Sequence, residues 1–213
     1  GDSGVEALML RKNSKITFGG MWVFPGGKID AADYPDGTVN PDNIDTAARA
    51  AAVRETQEEA GITVDAQDYE FLSHWTPPPG PQKRFATWFF VAKVEGAMDI
   101  AIDNGEIKDH AWLNPAEALA KHAKGEIDLV PPTWVTLYHL SLKTSADDVI
   151  AYFRQNTGLT YNTRVVPAIS GDRVAMWKGD AGYDEWNPDI AGERHRLAMP
   201  TGGFIFENTV EQY

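Results

Sequence analysis

The chain has no cysteine, no long apolar run and little positive charge. Without cysteine, it cannot form disulfides or hold a metal through thiolates. It contains no stretch of about eighteen apolar residues that would predict a membrane-spanning helix, and nothing in it resembles a signal peptide. We therefore predict a cytoplasmic protein that has no membrane partner.

The charge balance narrows the possible partners. Lysine and arginine number 19 against 31 aspartates and glutamates, which gives a net charge of −12 over 213 residues. Binding of a nucleic-acid backbone requires a basic surface, so we expect no nucleic-acid polymer as a partner. Small anionic substrates stay possible if metal ions and a few local cations offset the acidic field. A hydrophobic content of 43% predicts a globular fold with a sizeable core.

The most informative stretch is the acidic run RETQEEAGI at residues 54–62. Glu55, Glu58 and Glu59 are three or four positions apart, so a helix would place their carboxylates on one face. Like charges at this spacing repel each other, and a bound cation would relieve the repulsion. Two interpretations are open: a solvated acidic helix face, and a site for a divalent metal.

The sequence before the acidic run favours the metal interpretation. A predicted strand ends in Phe24-Pro25-Gly26-Gly27, where the glycines allow the backbone to approach a ligand closely. A polar loop over 30–44 follows, and Asp45 is predicted to cap a helix that ends before a left-handed Gly61. A strand, a glycine loop and an acidic helix in this order are typical of a site for a diphosphate and its metal.

The remaining pattern predicts an α/β fold. We expect a core over 1–149, a C-terminal extension over 150–213 packed on it, and a tight turn at residues 1–4. A turn with no strand before it suggests that an N-terminal strand is missing from this numbering. The predicted strands cover 5–11, 21–24, 69–75, 87–94 and 107–113, the predicted helices cover 114–122, 133–142 and 145–155, and strands and turns are predicted from 163 onward.

The acidic run resembles the signature of the Nudix hydrolases, G-x5-E-x7-R-E-U-x-E-E-x-G-U, in which U is a bulky apolar residue. Two features depart from it: the loop after Gly27 is about thirteen residues longer, and Thr46 stands in place of the first glutamate, with Asp45 beside it as a substitute. The resemblance implies an α/β/α sandwich around a mixed β-sheet, followed here by an α+β extension. The matching residues are Arg54, Glu55, Glu58, Glu59, Gly61 and Ile62, with Thr56 as a loose match.

Other segments resemble one branch of that family, the coenzyme A diphosphatase-like proteins. This resemblance implies coenzyme A or acyl-CoA as the substrate, and the family as a whole implies a possible homodimer. An ADP-ribose, nucleotide-sugar or dinucleotide pyrophosphatase is the alternative enzyme, and a non-catalytic nucleotide-sensing domain is the alternative class. The segments are HWTP at 74–77, RFATWFF at 84–90, WLNPAEA at 112–118 and LVPPT at 129–133, with a partial coenzyme A pattern at 8–11 and 19–20.

The family resemblance assigns a role to each acidic residue of the site. The cofactor would be Mg²⁺ or Mn²⁺, which prefer oxygen ligands and lower the pKa of bound water. Arg54 would hold a carboxylate in place, and Glu58 would also act in catalysis. Glu106, before the strand at 107–113, is either the general base or a solvated loop residue. The implied metal ligands are Glu55, Glu58, Glu59 and the Gly27 carbonyl.

The substrate-binding candidates are Arg84, Arg11, Trp75 and Phe85. Arg84 would bind substrate phosphate or form an ordinary salt bridge, and the aromatic residues would stack on an adenine or pack in the core. His195, between two arginines, would contact a 3′-phosphate or belong to a solvated or interface cluster. The sequence has no zinc-enzyme spacing of histidines, and Gly27-Lys28-Ile29 lacks the Ser or Thr of a P-loop.

Overall fold

A computed structural model describes residues 4–15, 18–80, 84–96, 99–102 and 105–210. The turn predicted at residues 1–4 lies almost wholly outside these ranges. The helices are α1 (Ile44–Ala60), α2 (Pro115–Ala123), α3 (Pro131–Ser141) and α4 (Ala146–Gln155). The strands are β1 (Ala7–Lys12), β2 (Trp22–Val23), β3 (Glu70–Thr76), β4 (Thr87–Val91), β5 (Ile107–Leu113), β6 (Leu159–Asn162), β7 (Arg164–Pro167), β8 (Arg173–Met176), β9 (His195–Met199) and β10 (Ile205–Asn208).

Helix α1 has the predicted end but a different beginning. Gly61 adopts the left-handed conformation with a φ of 71°, and its N–H donates to the Gln57 carbonyl, as predicted. The N-cap residue is Asn43, not Asp45, because a 3-10 turn over Pro41–Asn43 leads directly into the helix. Asp45 lies in the first turn and its carboxylate accepts a hydrogen bond from Arg49 Nε at 2.9 Å. The prediction that Asp45 caps the helix was therefore wrong.

Within the described residues, the strands form three hydrogen-bonded sheets, and one of them is mixed. The first has the order β2-β1-β5 and is antiparallel, and the second has the order β4-β3-β6. In the second sheet β3 pairs antiparallel with β4 and parallel with β6. The third, β10-β9-β8-β7, is an antiparallel meander near the C-terminus. The structure confirms the expected combination of a mixed sheet and helices.

Strand β1 shows how the sheet comes to lie between helices. Successive side chains of a strand point to opposite faces, so alternate residues of β1 enter different cores. Leu8 and Leu10 pack with Ala60 at the end of α1. Met9 packs on the other side with Ala118 of α2 and Val135 of α3. The alternation gives two helical layers around the sheet and leaves the last turn of α1 against one end of β1.

Residues beyond position 150 share the main core with earlier ones. The parallel pairing of β6 with β3 aligns Ser73 with Leu159 and continues to Thr76 and Asn162. Farther along, Trp177 and Leu197 are fully buried in the same cluster as Met9 and the helix α3 residues. In the described part of the chain, no helix is both long and apolar enough to cross a membrane.

Candidate active site

The double-glycine loop meets the last turns of α1 at Glu59. The Gly26 N–H donates to Glu59 Oε2 at 2.8 Å, and Lys12 Nζ donates to Glu59 Oε1 at 3.3 Å. The Glu59 residue is only 6% exposed. Burial raises the pKa of the Glu59 carboxyl, while the Gly26 N–H and Lys12 oppose that rise by stabilising the anion. Glu59 is thus a buried carboxyl group held by the loop backbone and one cation.

Gly27 makes room for the next carboxylate, that of Glu55. A Cβ atom added to Gly27 would lie 2.1 Å from Glu55 Oε1, a distance at which the two atoms cannot coexist. Glycine is therefore required here by the close approach of a side chain rather than by an unusual backbone angle. Glu55 Oε1 also accepts a hydrogen bond from Arg54 Nη1 at 2.8 Å. The loop and helix thus form a cradle with two carboxylates against it.

Arg54 ties the polar loop to the helix through a two-bond contact with Asp33. Arg54 Nε donates to Asp33 Oδ1 at 3.1 Å, and Arg54 Nη2 donates to Asp33 Oδ2 at 2.9 Å. The same Nη2 donates to the Lys28 carbonyl at 2.9 Å. Hydrogen bonds from Arg54 hold the pKa of Asp33 below its ordinary value, although burial opposes the shift. Asp33 was missed from sequence. The signal that could have found it is its position three residues after Asp30, which is the spacing of a capping box at the start of the loop.

Glu58 and Glu106 lie at the solvent-exposed margin of the site. The Glu58 carboxylate is 3.5 Å from Arg54 Nη1, one helical turn away. The Glu106 carboxylate is 3.8 Å from Lys12 Nζ, the same ammonium group that contacts Glu59. Lys12 therefore connects the acidic helix with the loop before β5. It was missed from sequence, although its alternation with Leu8 and Leu10 places it on the face of β1 that packs against α1.

The donor chemistry of the site fits a hard divalent cation. Its side chains offer carboxylate oxygens, the ligands that Mg²⁺ and Mn²⁺ prefer, and the Gly27 cradle allows close backbone approach. Among the residues the structure describes, no three Asp, Glu or His side chains stand together as a metal cluster. Glu55 contacts Arg54 at 2.8 Å and Glu59 contacts Lys12 at 3.3 Å, so each carboxylate is paired with one cation.

The predicted substrate residues fall in three different places. Phe85 is 46% exposed and lies near the glycine loop, with its ring centroid 5.7 Å from Lys28 Nζ. Arg84 is exposed and donates from Nη1 to the Pro77 carbonyl at 3.2 Å. Arg11 is exposed on β1, aligned with Trp22 of β2.

Thr46, which stands in place of the first glutamate of the family signature, and its neighbour Asp45 are both exposed near the start of α1.

Two sequence hypotheses fail because the side chains are buried. Trp75 is 3% exposed, stacks on Tyr161 at 3.9 Å and donates its indole N–H to Ser73 Oγ. It is therefore a core residue, and no substrate ring can reach it. His195 is buried as well, and the neighbouring Arg196 is paired with Asp180 at 2.6 Å. The burial of His195 contradicts both its expected contact with a phosphate and its place in a solvated cluster, and the alternative of an interface cluster stays untested.

The structure is an α/β sandwich with a carboxylate-bearing helix held against a double-glycine loop, an arrangement found in enzymes that hydrolyse phosphoanhydride bonds. The chain belongs to the Nudix family, since the NUDIX domain profile matches residues 2–132. Nudix hydrolases generally use divalent metals.

Two sequence relatives are consistent with the family assignment, and one solved structure resembles the fold. The chain is 23% identical to the acyl-coenzyme A diphosphatase NUDT19 of Xenopus laevis over 92% of this chain and 75% of that protein. It is 27% identical to the putative nudix hydrolase 7 of Caenorhabditis elegans, over 64% of this chain and 56% of that protein. The crystal structure of a NUDIX hydrolase from Alicyclobacillus acidocaldarius has a TM-score of 0.59 at 21% identity, covering 70% of this chain and 90% of that one. The structural match supports the fold.

Proposed function

We propose that this protein is a Mg²⁺- or Mn²⁺-dependent diphosphatase that hydrolyses coenzyme A or acyl-CoA. The observation that carries the proposal is the packing of Glu55 and Glu59 against Gly27 and Gly26, which gives a glycine loop with carboxylates beside it. Hydrolysis of a diphosphate needs charge neutralisation and positioning more than covalent catalysis. The residues of this site would position the reactants and hold the divalent cation that neutralises the charge.

The proposed metal ligands are Glu55, Glu58, Glu59 and the Gly27 carbonyl. A divalent cation held there would neutralise diphosphate charge and make an attacking water more acidic. The protein's own contribution is positioning: Gly26 orients the Glu59 carboxylate, and Arg54 orients Glu55 through its hydrogen bond. Because Arg54 is itself fixed by Asp33, the helix keeps one orientation relative to the loop.

The proposed acceptors of the water proton are Glu58 and Glu106. Both are exposed beside the buried Glu59 and the half-buried Glu55, so a water that approaches the diphosphate from solvent would be able to reach either. Glu106 has the further advantage of lying close to Lys12, which also contacts Glu59 and would keep Glu106 near the reacting phosphorus.

The proposed substrate contacts are Arg84, Phe85 and Arg11. Phe85 lies next to the glycine loop, where an adenine or a phosphate-bound ribose could contact its exposed ring. The naming of the Xenopus laevis relative as an acyl-coenzyme A diphosphatase favours coenzyme A derivatives. The cytoplasmic location and the homodimer stay predictions.

A substrate panel tests this proposal. We expect hydrolysis of coenzyme A and acyl-CoA that depends on Mg²⁺ or Mn²⁺ and disappears on chelation, with slower cleavage of ADP-ribose, nucleotide sugars and dinucleotides. Glu59→Gln should lower kcat at least about a hundredfold, since it removes a charged ligand. The matched Glu95→Gln, at an exposed glutamate paired with Lys93, should retain full activity.

The outcomes separate the alternatives. Faster cleavage of ADP-ribose, a nucleotide sugar or a dinucleotide would replace coenzyme A as the substrate while leaving the diphosphatase assignment intact. Tight binding of a nucleotide without turnover of any compound would favour the sensing domain and contradict the enzyme. Near-normal activity of Glu59→Gln would remove Glu59 from the metal site.

A further inference from the structure

A second concave surface lies beside the site, between the end of β3 and the region after β6. This surface, called the arginine groove below, has a volume of about 250 Å³. Sites that enclose a whole small ligand usually measure roughly 300–1,000 Å³, so the groove suits one part of a ligand. It is lined by Thr76, Pro77, Pro79, Arg84, Asn162, Thr163, Arg164, Tyr183 and Trp186.

The charge of the arginine groove is opposite to that of the molecule. The chain carries a net charge of −12, yet the lining contains Arg84 and Arg164. Within the described ranges of the chain, no aspartate or glutamate lines the groove. The nearest acid recorded for Arg164 is Asp184, whose exposed carboxylate is 3.7 Å from Nη1. Two guanidinium groups on one concave surface of an acidic protein indicate a site for an anion.

The aromatic residues of the groove are fixed rather than mobile. The Arg164 guanidinium lies over the Tyr183 ring at 4.0 Å and over the Trp186 ring at 4.8 Å. It also donates to the Tyr183 carbonyl, and the Tyr183 hydroxyl donates to the Asn162 carbonyl at 3.0 Å. These contacts set the rings before any ligand arrives, which reduces the entropy lost on binding.

Trp186 combines exposure with an unfavourable backbone conformation. Trp186 is 42% exposed. Its φ of +53° lies in the left-handed region of the backbone map, which residues with large side chains rarely adopt. Such strain concentrates at ligand sites, where the rest of the structure holds it in place. A large apolar ring presented to solvent in this way is a surface on which a flat ligand ring can stack.

The groove and the active site are joined through consecutive residues. Arg84 lines the groove, and the next residue, Phe85, contacts Lys28 in the glycine loop. The Lys28 carbonyl in turn accepts a hydrogen bond from Arg54 of the acidic helix. A ligand that extends from the cradle across Phe85 would therefore reach the arginine groove with its far end.

We propose that the arginine groove binds the phosphorylated nucleoside of the substrate, with phosphate between Arg84 and Arg164 and the base on Trp186. The proposal rests on the proposed function for its substrate class and adds a specificity site whose second wall, formed by Asn162, Thr163, Arg164, Tyr183 and Trp186, lies beyond the region matched by the family profile, which ends at residue 132. Coenzyme A carries a phosphate on its adenosine, and the groove would select for it. Arg164 and Trp186 are specificity residues and take no part in bond cleavage.

Direct binding of adenosine 3′,5′-bisphosphate tests the groove without any hydrolysis, because this probe has no diphosphate. Calorimetry should show that the wild-type protein binds the bisphosphate more tightly than adenosine or inorganic phosphate. Arg84→Gln and Trp186→Asn should each weaken binding about tenfold, the loss expected for one charged contact or one stacked ring. Asparagine tolerates positive φ, so Trp186→Asn removes the ring without adding strain. Trp186→Phe retains an aromatic face and should restore most of the affinity.

Arg154→Gln is the matched control for charge. Arg154 is exposed on α4 and pairs with Glu70 at 2.7 Å, away from the groove, so its loss should leave the affinity unchanged. With a hydrolysed substrate, the groove variants should raise KM more than they change kcat, and Arg154→Gln should change neither.

The outcomes distinguish the two proposals. Groove-dependent binding of the bisphosphate without hydrolysis of any diphosphate would overturn the proposed function alone. Hydrolysis of coenzyme A together with equal bisphosphate binding by wild type, Arg84→Gln and Trp186→Asn would overturn the groove alone. Failure of the wild-type protein to bind the bisphosphate would also overturn the groove.

Discussion

At the scale of single residues, Gly27 is a position where adding one methyl group would collide with a carboxylate of the site. A Cβ at Gly27 would displace the Glu55 carboxylate, which lies where that atom would be. We expect Gly27→Ala to lower kcat by about a hundredfold, as removal of one charged catalytic contact does, while the free energy of unfolding changes by about 1 kcal/mol or less. Steady-state kinetics and urea unfolding measure the two effects separately.

Gly4→Ala is the matched control for Gly27→Ala. A Cβ at Gly4 would meet its nearest atoms at 3.9 and 4.0 Å, which is ordinary contact. Its activity should equal that of the wild type. Full activity of Gly27→Ala would show that Glu55 can move without loss and is not held in a catalytic position.

The sequence predicted the residues of the acidic helix better than their partners. The shared face of Glu55, Glu58 and Glu59 follows from their spacing, because a helix fixes which side chains lie together, whereas Gly26 and Gly27 were linked to them by the order of motifs and by the family resemblance. Lys12 and Asp33 are brought to the site by the pairing of β1 and by the fold of the polar loop, and their local signals, the β1 alternation and the spacing from Asp30, do not reveal their partners.

Aromatic residues were the least predictable. Trp75 and Phe85 both looked like ring-stacking candidates, yet one is buried and the other is exposed. The difference arises from β6, which pairs with β3 and places Tyr161 over Trp75 from a position 86 residues farther along the chain. A contact between residues so far apart in sequence cannot be read from the local context of either one.

At the scale of elements, the end of α1 determines where the acidic residues point. Gly61 has a φ of 71° and a Cβ there would lie 3.0 Å from the Ala101 Cβ. Ala101 cannot easily move away, because its N–H donates to the Ala60 carbonyl at 3.0 Å. We expect Gly61→Ala to destabilise the protein by about 2 kcal/mol, from backbone strain and crowding together.

Gly37→Ala separates these two causes. Gly37 has a φ of 68°, close to that of Gly61, but no atom lies within 4 Å of its added Cβ. The Gly37→Ala substitution should lower the free energy of unfolding by about 1 kcal/mol, because backbone strain is then the sole cause. Chemical denaturation of both variants measures the difference, and equal costs would show that the Ala101 segment yields without penalty.

The helices and strands were largely predictable from the sequence, and the closure of the loop between them was not. The predicted strand at 107–113 coincides with β5, and the predicted helix at 145–155 differs from α4 only by its cap, Ser145. The 30–44 loop looked like a solvated insertion, yet its Asp33 turns inward to Arg54. An ion pair between a loop and a helix depends on how the loop closes, which composition alone does not specify.

At the scale of the whole molecule, the question is whether the parts before and after residue 149 are stable independently of each other. We proposed a core over 1–149 and an extension over 150–213 packed on it. The shared cluster of Met9, Trp134, Trp177 and Leu197 suggests that neither part keeps its interior without the other. The order of strands in the C-terminal meander was not predictable, since hairpins with similar sequence patterns can pair in several orders.

Leu197→Ala tests whether the extension and the core unfold as one unit. Leu197 is fully buried in the shared cluster, so truncating it should cost about 2–5 kcal/mol. If the two parts are coupled, this loss should lower the unfolding midpoint of the whole molecule in a single transition. Tryptophan fluorescence and far-UV circular dichroism should then give the same midpoint.

The control is Ile169→Ala, at a residue that is 89% exposed in the turn between β7 and β8. Loss of an exposed side chain there should change stability by about 0.5 kcal/mol or less. Two separated transitions in Leu197→Ala, with the helical signal retained after the first, would show that residues 1–149 keep their fold alone. In that case the arginine groove would lose its C-terminal wall before the cradle of Gly26 and Gly27 unfolds, and binding of the bisphosphate would disappear at a lower denaturant concentration than the helical signal.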